Sequence, residues 1–118
     1  MEIVNAKITS TSLGLENHGI LTAYLYLEMG IGSQGFGGYA LDSWNAGKNR
    51  RIGVSYGAEF ILQILNTVGV ENWEDLPGKH IRVKRSEGWV GSIEAIGNIV
   101  KDKWFDPKKL SVEMRYSS

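Results

Sequence analysis

The chain has 118 residues, 42% hydrophobic and 22% charged, with two prolines, no cysteine and a formal net charge of zero. That balance fits one folded domain, residues 1–118, and excludes a disordered chain, while the missing cysteines exclude disulfides, thiolate nucleophiles and cysteine-ligated zinc. No stretch approaches the roughly 18 apolar residues of a membrane span, and Met1 to Lys7 lacks a signal peptide's basic start and apolar core, so a soluble cytoplasmic protein is expected.

In chain order, Ile3, Ala6 and Ile8 set among polar residues predict a first strand, ending near the turn-forming stretch Ser10–Gly14. Leu21, Ala23, Leu25, Leu27 and Met29 alternate with Thr22, Tyr24, Tyr26 and Glu28, the pattern of a strand with one buried face. A third strand is expected from about Gln34 to Leu41. After Ser55, read as an N-cap, Phe60, Ile61, Ile64, Leu65 and Val68 form a helical stripe, with Gly69 placed to stop it in a left-handed conformation. A short helical turn follows over Asn72–Leu76. His80–Arg85 reads as a strand with Ile81 and Val83 inward and Arg82 and Lys84 outward. A further strand is expected from about Trp89 to Val100, then a short helix within Asp106–Met114. Short links between the first three strands imply an antiparallel meander. The expected class is therefore α+β, an antiparallel sheet of about five strands with one main helix on one face and a short C-terminal helix.

Charge is unevenly spread. Residues 1–47 hold one base and four acids, whereas residues 79–118 hold nine bases and five acids. A positive C-terminal part favours an anionic ligand, although alternating solvated faces would look the same. The excess is too weak for a general duplex-DNA binder.

The glycine-rich run from Gly30 to Gly38 interrupts strand-forming sequence, where glycine is entropically unfavourable. Gly35, Gly37 and Gly38 could let a backbone approach a ligand or a subunit, or could mark a tight hairpin or bulge. The string Gly30-x-Gly32-x-x-Gly35 is no dinucleotide fingerprint, because a strand rather than a helix follows it. His18 and His80 have no ligand-spaced partners, and no metal site is expected. No serine sits in a nucleophile elbow, and Glu71, Glu74 and Asp75 read as a solvated, capping face. No catalytic residue and no cofactor is assigned.

Aromatics and bases interleave in two places. Phe36, Tyr39 and Trp44 precede Lys48, Arg50 and Arg51; Asn98, Lys101, Asp102, Trp104 and Phe105 are followed by Arg115. Stacking faces, phosphate-pairing cations and amides or carboxylates that read a base edge are what nucleotide recognition requires. The candidate ligand-binding residues are Phe36, Tyr39, Arg50, Arg51, Asn98, Lys101, Asp102, Trp104 and Arg115. Trp104 could equally belong to the core.

Three segments, Gly35–Asp42 (GFGGYALD), Thr67–Val83 (TVGVENWEDLPGKHIRV) and Ile96–Pro107 (IGNIVKDKWFDP), resemble small accessory proteins of tailed phages and prophages. Among these, the chain is similar to the first-described Thoeris anti-defence family. The resemblance implies a homo-oligomer, a dimer or larger. It would sequester a cyclic nucleotide immune signal of the cyclic ADP-ribose type in the host bacterial cytoplasm without degrading it. Two other readings remain: a protein–protein inhibitor of a host defence enzyme, like an anti-CRISPR protein, and a single-stranded nucleic acid binder.

Overall fold

The computed structural model describes residues 1–16, 18–86 and 91–116. Within them an antiparallel six-stranded sheet carries the main helix on one face. In chain order the strands are β1 (Glu2–Glu16), β2 (Ile20–Glu28), β3 (Ser33–Gly37), β4 (Asp42–Asn45), β5 (Arg50–Gly53), β6 (His80–Arg85), β7 (Ile93–Asn98) and β8 (Trp104–Phe105). The large sheet has the order β3-β2-β1-β6-β7-β8, and β4 pairs with β5 in a separate hairpin. Helix α1 (Ser55–Val68) lies between β5 and β6, and α2 (Pro107–Tyr116) ends the described chain.

Parity along the strands sorts side chains between the two faces. Ala6 and Ile8 of β1, Leu25 and Leu27 of β2, Ile81 and Val83 of β6, and Ile96 of β7 are buried beneath α1. Helix α1 contributes Phe60 and Ile64 from the predicted stripe. Phe60 is the hub. Its ring centroid lies 5.2 Å from Phe105, 6.3 Å from Phe36, 5.8 Å from Tyr39 and 6.1 Å from Tyr56. The pair with Phe105 is edge-to-face, an arrangement that adds to the area each ring removes from water.

Several expectations need correction. β1 does not stop at Ser10–Gly14 but continues, after a bulge between Ile8 and Ser10, to Glu16. That half pairs with β2 alone, so even Leu13 and Leu15, which alternate with Ser12, Gly14 and Glu16, stay exposed. The reversal falls at His18 and Gly19, both at positive φ. β3 ends at Gly37 rather than Leu41, because Gly37 and Gly38 both turn to positive φ. Ser55 is the first helical residue; Val54 takes the N-cap position without a side-chain cap. The β4–β5 hairpin and the two-residue β8 were not anticipated. The strand expected over Trp89–Val100 is observed as Ile93–Asn98, and its first residues, Trp89 and Val90, lie outside the described residues.

Other local readings agree with the structure. Gly69 adopts φ 91° and donates its N–H to the Leu65 carbonyl, a conformation that would cost an L-residue about 1–2 kcal/mol. The turn before β6 is a 3-10 turn at Trp73–Asp75.

Candidate functional site

The site is built at the β7–β8 hairpin, starting from Asn98. Its Oδ1 accepts the backbone N–H groups of Val100 and Lys101 at 2.9 and 2.8 Å, which shapes the turn. Its Nδ2 donates to the carbonyls of Thr67 and Val68 at 3.0 and 3.4 Å, satisfying carbonyls that the end of α1 leaves without helical partners. Asn98 is thus engaged at both ends of its amide and fixes the hairpin to the helix.

This anchoring places Trp104 opposite Gly97 across the ladder. The indole lies across that glycine: a Cβ added at Gly97 would sit 2.5 Å from Trp104 Cε3. Asp102 Oδ1 accepts the indole Nε1–H at 3.1 Å and sets the ring's orientation. From β6, the Arg82 guanidinium carbon lies 4.7 Å and Lys84 Nζ 4.2 Å from the ring centroid. These are cation–π distances. Arg82 is held there by Nε donating to the Asn98 carbonyl at 2.7 Å and Nη2 donating to the Lys101 carbonyl at 2.8 Å. One guanidinium is therefore fixed, while Lys84 is a point charge on a flexible stem.

Beside Trp104, where β8 stops and α2 begins, a pocket of about 380 Å³ opens against β7. Its lining includes Lys84, Ala95 and Trp104 from the sheet and Gln63, Lys109 and Glu113 from the helices. Two nearby carboxylates have structural duties. Asp106 Oδ1 accepts the N–H groups of Lys108 and Lys109 at 2.9 and 3.3 Å, capping α2. Glu94 accepts Ser92 Oγ–H at 3.0 Å and faces Lys108 Nζ at 3.6 Å.

The expected ligand residues fall into four places. Asn98, Lys101, Asp102 and Trp104 come together in the β7–β8 hairpin, with Lys101 exposed. Phe36 and Tyr39 belong to the Phe60 cluster. Phe36 is only 3% exposed, so its ring is packed inward rather than offered to a ligand. Arg50 and Arg51 sit on the β4–β5 hairpin. There Arg51 Nη2 donates to Asp42 Oδ1 at 2.8 Å, a pairing that holds the Asp42 carboxyl below its ordinary range and raises the guanidinium further. Arg115 is exposed near the end of α2, where a cation complements the helix dipole.

The glycines have local explanations within the chain. A Cβ at Gly37 would meet the Ala23 carbonyl oxygen at 2.1 Å, and one at Gly38 would meet Tyr24 Oη at 2.6 Å. Gly35 lies beneath Tyr24 and Tyr26. The run lets β3 press against β2.

Arg82, Lys84, Gln63 and Lys109 escaped the residue-by-residue reading. The outward parity of Arg82 and Lys84 was visible, but their meeting with Trp104 depends on the β6–β7–β8 register. No group of three or more metal-binding side chains occurs among the described residues. No helix among them is long and apolar enough to cross a membrane. No protein-family model, curated sequence or solved structure matches this chain.

Proposed function

We propose that this chain is a phage anti-defence protein that holds a cyclic nucleotide immune signal, of the cyclic ADP-ribose type, and keeps it intact. The observation that carries the reading is Trp104 laid on Gly97 with two cations within 4.7 Å of its ring, at the mouth of a pocket. An adenine ring would stack on the indole in place of Lys84, whose ammonium then meets the phosphates. Arg82 supplies a second, positioned charge. Asp102, Asp106 and Glu94 are engaged in structural hydrogen bonds, and Glu113 is the remaining carboxylate in the pocket lining.

A volume of about 380 Å³ lies near the lower end of ligand pockets, roughly 300–1,000 Å³. A nucleotide with two riboses and a diphosphate is large for it. On this reading a second copy of the chain completes the enclosure, and the protein works in the host bacterial cytoplasm as a homo-oligomer. The three resembling segments point the same way.

The test is calorimetric titration of the purified protein with cyclic ADP-ribose isomers and with cyclic di- and trinucleotides. Submicromolar binding of one of them, with the ligand recovered unchanged by mass spectrometry after denaturation, is expected. Absence of binding across the set, or recovery of a cleaved product, would refute the proposal.

A further inference from the structure

The face of the sheet turned away from α1 carries a second arrangement that extends well beyond the pocket. By register, Tyr24 and Tyr26 of β2, Asn5 and Lys7 of β1, Arg82 and Lys84 of β6, and Trp104 of β8 share this face. The helices lie on the other side, against Phe105 and its neighbours. Tyr26 is 41% exposed and Ile3, beside Lys84, is 54% exposed.

Two features make the face more than a solvated surface. Aromatic platforms stand at its two ends, each over glycine. Tyr24 and Tyr26 form a near-parallel pair, centroids 5.8 Å apart and planes 11° apart, over Gly35, and Trp104 lies across Gly97. Between them run Lys7, Arg82 and Lys84. Two acids share the Tyr end, each held by neutral donors: Glu28, opposite Lys7 in register, accepts Gly30 N–H and Ser33 Oγ–H at 2.9 and 3.1 Å, and Glu16 accepts Tyr24 Oη–H at 3.3 Å.

We infer that this open face binds single-stranded nucleic acid, with bases stacked on the Tyr24–Tyr26 pair and on Trp104 and phosphates along Lys7, Arg82 and Lys84. Tyr26 and Trp104 are four strand spacings apart across the sheet, about 19 Å, and, counted along β2 past the β1 bulge, about four residues apart in register, about 13 Å. The diagonal of about 23 Å suits a bound segment at the short end of single-strand site sizes, about four nucleotides upward. A duplex would present no free base faces to these rings, and three cations are few for its backbone. Trp104, Lys84 and Arg82 also serve the proposed cyclic-nucleotide site, but Tyr24, Tyr26 and Lys7 lie outside it, so the two readings can fail separately.

The experiment is fluorescence anisotropy of a labelled ten-nucleotide oligothymidine from 50 to 200 mM salt, with wild type, Tyr26→Ala and Lys7→Glu. Three phosphate contacts predict a log–log salt slope of about −2, that is, binding about twenty-fold weaker at the higher salt. Tyr26→Ala should weaken binding about ten-fold, and Lys7→Glu should both weaken it and flatten the slope by about 0.7. Both variants should keep the wild-type melting temperature and cyclic-nucleotide titration. Oligonucleotide binding that survives a failed cyclic-nucleotide titration would leave this inference standing and remove the pocket reading. No binding at 50 mM salt, equal affinity for a duplex, or affinity unchanged by both substitutions would overturn it.

Discussion

The two faces of the sheet use aromatic residues in opposite ways. Between α1 and the sheet, Phe36, Phe60 and Phe105 pack on one another and are almost completely buried. On the open face, Tyr24, Tyr26 and Trp104 rest over glycines, and Trp104 is flanked by cations. Trp104 and Phe105 are neighbours in a two-residue strand, yet parity sends them to different faces. Whether an aromatic joins the core or the open face is decided here by strand register, not by the residues adjoining it in sequence.

The largest expected effect breaks the covered face. Phe60→Ala removes the hub of the cluster and should cost about 3–5 kcal/mol, seen as a large drop in the urea midpoint. A loss under about 1 kcal/mol would mean that the cluster is not the main core. Next comes Gly57→Ala. Placed freely within a helix this change gains about 1 kcal/mol, but here the new Cβ would lie 2.1 Å from the Leu41 carbonyl oxygen. The helix must back away, and a net loss of about 1–3 kcal/mol is expected in the same assay.

Gly97→Ala sharpens the contrast from the open side. Its Cβ displaces the Trp104 ring, so ligand affinity should fall about ten-fold or more while the melting temperature moves less than in Phe60→Ala. Titration of both variants checks this. The smallest effect concerns the Asp42–Arg51 pair. A carboxyl with a folded-state pKa lowered by its partner contributes stability that is present above its unfolded value, near 4, and is lost as pH falls through the lowered value. Arg51→Ala should therefore flatten the acid side of a melting-temperature profile and leave the neutral side almost unchanged. An unaltered acid limb would show that the pair contributes nothing measurable.

The sequence made the α1 stripe, the Gly69 stop and the inward–outward alternation of β2 and β6 legible, because each is a local period. The far half of β1 was not legible. Ser10, Ser12 and Gly14 resemble a turn, and this half of β1 pairs only with β2, so no second neighbouring strand covers it. The short β4–β5 hairpin and β8 are similarly too brief to carry a period. At the site, proximity of Asn98, Lys101, Asp102 and Trp104 could be read from their spacing. The roles of Asn98 and Asp102 could not, since both depend on hydrogen bonds formed only in the folded hairpin. The arrival of Arg82 and Lys84 is a non-local consequence of register. Phe36 was a stacking candidate by composition and is a core residue by parity.

The most direct test of this division of labour is Trp104→Ala, titrated with cyclic ADP-ribose isomers in parallel with a thermal melt. Binding weakened at least ten-fold with a nearly unchanged melting temperature would place Trp104 on the functional face. Undiminished binding, or a collapse of stability comparable to that of Phe60→Ala, would contradict the account and return Trp104 to the core.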